Sequence, residues 1–300
     1  MRNKEGTGAQ YSNYKYDTAS CGGVVRPHAV NTLTGGATAR TYCYDANGNL
    51  TTATGAKYGA VTWYVANLAK RVTAGTTYSE FTYGADRARY KQYLFRTATN
   101  NETTLYAGGL FEKLTKVNGA TTTEYTHYVR AGDNVVTISK RIAGVQSWRY
   151  LHRDHLGSVV ALTDTGGALV ERSGFDPWGK RTDYTTWNPP APAAFLLGGS
   201  GAGGTTQAVT YTKRGFTGHE QVDDVGIVHM NGRIYDPELG KFMSADPTMQ
   251  FPECVFVAEH RAQVRAVRWR VAKVLGLGDQ QPTLGEKSGD GRDDAGGVRR

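Results

Sequence analysis

Apolar and polar residues alternate with a period of two along most of the first 250 positions, and Gly or Asn breaks the alternation at intervals. Leu114-Thr115-Lys116-Val117, then Asn118-Gly119, then Thr121 to Tyr128 predicts strand, type I′ turn, strand. Val135 to Ile142, Ala143-Gly144 and Val145 to Leu151 predict the same hairpin again. No segment before residue 254 carries a convincing helical period, so this region is expected to be essentially all β. Asn188 to Thr206, NPPAPAAFLLGGSGAGGTT, cannot hold a β-ladder and is expected to be an exposed loop. After Glu253 the pattern changes. Val264, Val267, Val271, Val274 and Leu275 recur at helical spacing, with Arg261, Arg265 and Arg268 on another face. From Asp279 the residues are polar and glycine-rich, and disorder is expected.

Composition sharpens this picture. The 18 tyrosines and 38 glycines in 300 residues suit half-exposed strand faces, where a ring packs while its hydroxyl stays wet. The chain is long enough for one large domain or two ordinary ones. The net charge is +8, of which residues 254–300 supply +3, and the remainder forms no stripe. Scattered excess charge of this kind favours solubility, so no nucleic-acid partner is expected. Cys21, Cys43 and Cys254 are too few and too scattered for a disulfide framework or a zinc site. The polar start, MRNKEGTGAQYSNYKYD, lacks the apolar run of a signal peptide, and no stretch is long enough to span a membrane. A cytoplasmic location is therefore expected, unless a dedicated secretion system exports the chain.

Candidate chemistry is sparse. His152-Arg153-Asp154-His155 groups two histidines with a carboxylate, but on a strand His152 and His155 point to opposite faces. His219-Glu220 and His229 lack the helical context of a zinc protease, because Arg214 to Tyr235 reads as strand and turn. There Asn231-Gly232 is expected to turn the chain, with Arg233 pairing with a neighbouring carboxylate. No nucleophile elbow, P-loop or dinucleotide fingerprint is present; Gly198-Gly199-Ser200-Gly201 is flexible filler, and Cys254 has no activating motif. No catalytic, cofactor-binding or metal-binding residue is therefore predicted, and the chain is not expected to be an enzyme.

An aromatic residue, then Asp, then Gly recurs as Tyr150…Asp154…Gly157, Phe175-Asp176…Gly179 and Tyr235-Asp236…Gly240. Upstream, Tyr16-Asp17 is followed by Tyr42-Cys43-Tyr44-Asp45-Ala46-Asn47-Gly48-Asn49-Leu50 and a degenerate copy from Phe81 to Arg87. In the clearest copy Asn47-Gly48 supplies positive φ, and Asp45 is expected to accept turn N–H groups rather than act in catalysis. These motifs closely resemble Rhs/YD-repeat proteins, roughly over residues 14–250 and most strongly over Tyr150 to Pro247.

The resemblance implies an all-β strip of twisted antiparallel hairpins, part of a hollow β-shell, followed by a short helix and a loose tail. It divides the chain into YD-repeat hairpins (1–149), an RHS repeat-associated core domain (150–253, with the 188–206 loop) and a divergent basic tail (254–300). The implied role is structural: a piece of a shell that encloses and delivers a C-terminal effector. Its partners would be the rest of the shell, the toxin cargo and secretion-associated proteins. Such shells often cut themselves with paired aspartates, and Asp246-Pro247 corresponds to the first; the second Asp-Pro motif does not follow. Self-cleavage is therefore not expected, and residues 254–300 read best as a truncated or recombined end. The other readings of the tail are an effector start and a basic helix for nucleic acid or membrane. Carbohydrate or cell-surface binding is the alternative function that the resemblance implies. An isolated strip is also expected to expose strand edges and an apolar inner face.

Overall fold

The computed structural model describes residues 13–16, 21, 29–36, 38–132, 134–182 and 211–246. The loop expected over 188–206 and the tail expected from 254 lie outside these residues. The chain divides into two units, Met1–Ala245 and Asp246–Arg300, and all the described strands belong to the first.

Among the described residues the fold is β throughout, apart from 3₁₀ turns at Cys21 and Phe216–Gly218. A fifteen-stranded sheet runs in strict sequence order. It opens with β1 (Asn13–Lys15), β2 (Thr32–Thr34), β3 (Arg40–Tyr44), β4 (Leu50–Thr54) and β5 (Ala60–Trp63). It continues with β6 (Ala69–Ala74), β7 (Thr77–Tyr83), β8 (Arg89–Thr97), β9 (Asn100–Ala107) and β10 (Phe111–Asn118). It ends with β11 (Ala120–Ala131), β12 (Asn134–Ile142), β13 (Val145–Arg153), β14 (Val159–Thr163) and β15 (Leu169–Arg172). From β2 onwards short connections favour pairing of each strand with its sequence neighbours, antiparallel. β13 carries the sheet across the 149/150 boundary without interruption. A two-stranded ribbon follows, β16 (Gly174–Phe175) with β17 (Arg181–Thr182). A four-stranded sheet comes last: β18 (Glu220–Val222), β19 (Ile227–Met230), β20 (Arg233–Asp236) and β21 (Lys241–Phe242).

The repeat motif is a turn. Asp45 N–H donates to Asn49 O, Gly48 N–H donates back to Asp45 O, and Gly48 has φ +83°. The Asp45 carboxylate accepts the N–H groups of Asn47 and Asn49, each at 2.9 Å. The same double acceptance occurs at Asp154 (Leu156 and Ser158), Asp164 (Gly166 and Ala168) and Asp176 (Trp178 and Lys180). Each aspartate thus satisfies two donors that a tight turn leaves without backbone partners. The Asp164 copy was not singled out in sequence, because no aromatic residue precedes it.

Two further copies keep the backbone while losing the sequence. Tyr64 to Leu68 forms the same bonds with Asn67 at φ +59°, and Gly84 to Ala88 does so with Arg87 at φ +63°. The register of the adjoining hairpin shifts at Cys43/Tyr44, Thr62/Trp63, Thr82/Tyr83, His152/Arg153 and Leu162/Thr163, so most of these turns follow a bulge.

Two sequence expectations are corrected. Ala143 and Gly144 both have positive φ, as a type I′ turn requires. At Asn118-Gly119 only Gly119 does, at +71°, and Asn118 pairs with Ala120, so that turn is tighter and not type I′. Cys21 and Cys43, the latter on β3, form a disulfide with Cα atoms 5.8 Å apart.

The apolar face of the long sheet is covered. Val222, Val225, Ile227, Ile234, Leu239 and Met243 pack in one core with Leu33, Tyr42, Leu50, Val61, Val72 and Phe81. Leu50 N–H donates to Met243 O at 2.7 Å, and the Tyr58 hydroxyl donates to the buried Asp236 carboxylate at 2.8 Å. The expectation of an exposed inner face is overturned over this region, because the four-stranded sheet supplies the missing apolar partner. Tyr128, Val135, Ile138, Val159 and Leu162 form a second, smaller core.

Candidate functional site

The face covered by the closing sheet changes character along the long sheet. Cross-strand register aligns Val61, Val72, Ser79, Leu94, Glu102 and Lys116 in one row over β5 to β10. The next row runs Phe81, Gln92, Thr104, Leu114 and Glu124. A third places Tyr106, Glu112, Thr126 and Lys140 side by side. The face is apolar up to β7 and increasingly charged from β8 onwards.

The segment entering the closing sheet matches those charges. Lys213 reaches Glu102 at 2.7 Å, and Arg96 bridges Glu102 at 2.9 Å and Asp224 at 2.5 Å. Arg89 pairs with Glu220, both side chains being 9% exposed, and the Tyr106 hydroxyl lies 3.0 Å from both Glu220 carboxylate oxygens. Arg214 approaches Glu112 at 3.5 Å. Towards the other end of the long sheet, Arg40 and Lys180 both meet Glu238 at 2.6 Å. Residues more than 100 positions apart are joined in this way along one seam.

Electrostatics follows from packing. Burial pushes Glu102 up, but Lys213 and Arg96 overcome it and hold the carboxyl well below the usual range. At Glu220 burial is likewise outweighed by Arg89 and Lys213, leaving a net downward shift. Glu112 moves up, from burial and then from the Glu220 charge, with Arg214 opposing. Two carboxyls driven apart in this way resemble an acid/base pair. Here, however, Arg89, Tyr106 and Arg214 already engage their oxygens, and the arrangement joins the two sheets.

The residues singled out in sequence are dispersed. His152 Nε2 lies 2.9 Å from Thr163 Oγ1, while His155 is exposed in the Asp154 turn. Arg153 donates to the Gly157 carbonyl at 2.7 Å and the Val135 carbonyl at 3.3 Å. His219 Nδ1 lies 2.8 Å from Thr217 Oγ1, Glu220 joins the seam, and His229 is buried beside Tyr83. Asn231 turns the chain at φ +57°, and the Arg233 guanidinium lies over the Phe242 ring at 3.7 Å. Among the described residues no cluster of three His, Cys, Asp or Glu side chains is placed to hold a metal ion. Pro247 and Cys254 lie outside the described residues.

Arg89, Gln92, Arg96, Glu102, Tyr106, Glu112, Lys213 and Asp224 drew no attention in the sequence. Their one local signal is that strands such as Arg89–Thr97 and Phe111–Asn118 carry polar groups at both parities, unlike a strand with one dry face.

No family model matches the chain, and no curated protein matches it. Solved structures do. The crystal structure of TcdB2-TccC3-Cdc42 aligns over 71% of this chain with a TM-score of 0.52 and 16% identity. That of TcdB2-TccC3 aligns over 70% with a TM-score of 0.50 and 17% identity. In each case this chain spans 12% of the solved chain's length. The described architecture thus shares its all-β fold with part of these solved structures.

Proposed function

We propose that the chain is a wall segment of an Rhs/YD-repeat toxin shell, in which the four-stranded sheet seals part of the inner face and the remaining face lines the space that holds an effector. The observation that carries this reading is the seam. A sheet from the end of the described region lies on a hairpin strip and is joined to it by an apolar core and buried ion pairs. The role is structural rather than catalytic. What supports this is that the repeat aspartates are engaged by turn N–H groups and the seam carboxylates by cations. The effector, the rest of the shell and the secretion-associated proteins are then the partners.

A chimera tests the reading. This chain would replace the aligned segment of the TcdB2-TccC3 assembly, and protease protection of the enclosed cargo would be measured. Retained protection is expected; a shell that assembles but leaves its cargo digestible would overturn the proposal.

A second reading, carbohydrate binding, is favoured by one feature. A groove of about 700 Å³ is lined by Thr121, Thr123, Tyr125, His127 and Arg141, a mixture of ring faces and hydroxyls suited to sugars. Glycan retention abolished by Tyr125→Ala would support it, and no retention on any glycan surface would remove it. An effector role for 254–300 concerns residues outside the described ones, and toxicity of that expressed peptide is its test.

A further inference from the structure

We propose that His229 is an acid-sensitive pin: uncharged, it holds β19 of the closing sheet against β7 of the long sheet, and its protonation loosens that closure. The proposal goes beyond the shell reading and does not depend on it.

The geometry is a buried sandwich. His229 is 1% exposed, its ring centroid lies 4.8 Å from that of Phe81 and 6.1 Å from that of Tyr83, and Nε2 is 3.0 Å from the Tyr83 hydroxyl. From β8 it faces Arg89, whose guanidinium lies over the Phe81 ring at 5.7 Å. From β18 its cross-strand partner is Glu220, which is engaged by Arg89 and Tyr106; His219 adds a second titratable ring nearby. From β20 it faces Ile234, which is apolar.

A proton arriving on this ring therefore creates a cation in a dry site beside an existing cation, with the one carboxylate in reach already engaged. Burial and then Arg89 hold the ring well below the ordinary histidine range. Because the folded-state value is depressed, the stabilisation is complete above about pH 6.5 and is lost as pH falls below it. Each unit of pH below that point shifts the closed–open equilibrium about tenfold towards the loosened form. Histidine is the side chain whose ordinary range puts such a switch near neutrality.

The test uses the full chain and compares urea unfolding from pH 7.5 to 5.5 for wild type, His229→Gln and His219→Gln. Expected is an unfolding constant that rises below pH 6.5 about tenfold per unit more steeply in wild type than in His229→Gln, whose remaining slope belongs to His219, also held low by burial and Arg214. His219→Gln keeps the His229 share of the slope. Equal slopes in wild type and His229→Gln would overturn the proposal. Should His229→Gln not fold, hydrogen exchange on wild type decides. Corrected for intrinsic rates, exchange over residues 227–236 must rise from pH 7.5 to 5.5 while 145–163 stays unchanged; no local rise overturns it.

Discussion

Removing Arg89 alone should be far more damaging than removing Arg89 together with its partner. Arg89 and Glu220 are each 9% exposed at the side chain and come from elements 131 positions apart, so the pair exists only in the folded state. Arg89→Ala leaves the Glu220 carboxylate buried without its ion-pair partner, and breaking such a pair costs about 3–5 kcal/mol. Lys213 still acts on Glu220, and Tyr106 still lies within hydrogen-bonding reach of it, so the lower end, about 3 kcal/mol, is expected. With a urea m-value of about 3 kcal/mol/M for a domain of this size, the midpoint falls by about 1 M. The double variant Arg89→Met/Glu220→Met removes both charges and keeps the volume. Its Tyr106 hydroxyl retains Gln92 Oε1 at 2.7 Å as acceptor. That variant should lie within about 1 kcal/mol of wild type, because matched apolar groups replace a buried pair at little cost. The assay is urea unfolding at pH 7.5 followed by tryptophan fluorescence, arranged as a double-mutant cycle. Additive losses in the double variant would refute the argument that an uncompensated charge dominates the cost.

Three further outcomes follow from the turns, the carboxylates and the disulfide. Gly157→Ala meets no atom within 4 Å but sits at φ +82°, so a loss of about 1–2 kcal/mol is expected from backbone strain alone. Gly179→Ala, at φ +88° with its Cβ 2.3 Å from Phe216, should melt at a clearly lower temperature than Gly157→Ala. The carboxyls of Glu102, Glu220 and Glu238 are held low, so the stability they contribute is present above about pH 4.3 and lost as pH falls further. Urea midpoints of His229→Gln should therefore drop steeply from pH 5 to 3, and a flat profile would contradict the seam. Reducing the disulfide between residues 22 positions apart should cost about 3 kcal/mol, read as a lower melting midpoint in dithiothreitol that Cys43→Ser reproduces.

The hairpins were largely legible because a β-turn is written in adjacent residues. Asp45, Gly48, Asp154, Gly157, Asp176 and Gly179 each report a backbone need within five positions, and the structure gives each the role its chemistry implies. Tyr64 to Leu68 shows the limit. Asn67 reaches positive φ there without an Asp or a Gly, because the flanking β5 and β6 impose the turn that its own residues only tolerate. The seam was not legible at all. Arg96 with Asp224, Lys213 with Glu102 and Tyr58 with Asp236 are separated by 128, 111 and 178 positions, and nothing near any of them names its partner.

The sequence by itself thus determined the strands, their order and the aspartate turns, since alternation and turn chemistry act over a few residues. Tertiary structure alone decided which face is dry, that the last four strands cover it, and which charges meet. Those outcomes depend on bringing distant segments together, where low dielectric makes an unpaired carboxylate such as Glu220 costly and a matched one tolerable. His229 shows both levels. Its place in an alternating strand follows from neighbouring residues, while its sensitivity to acid follows from Phe81, Tyr83 and Arg89, which only the folded chain places around it.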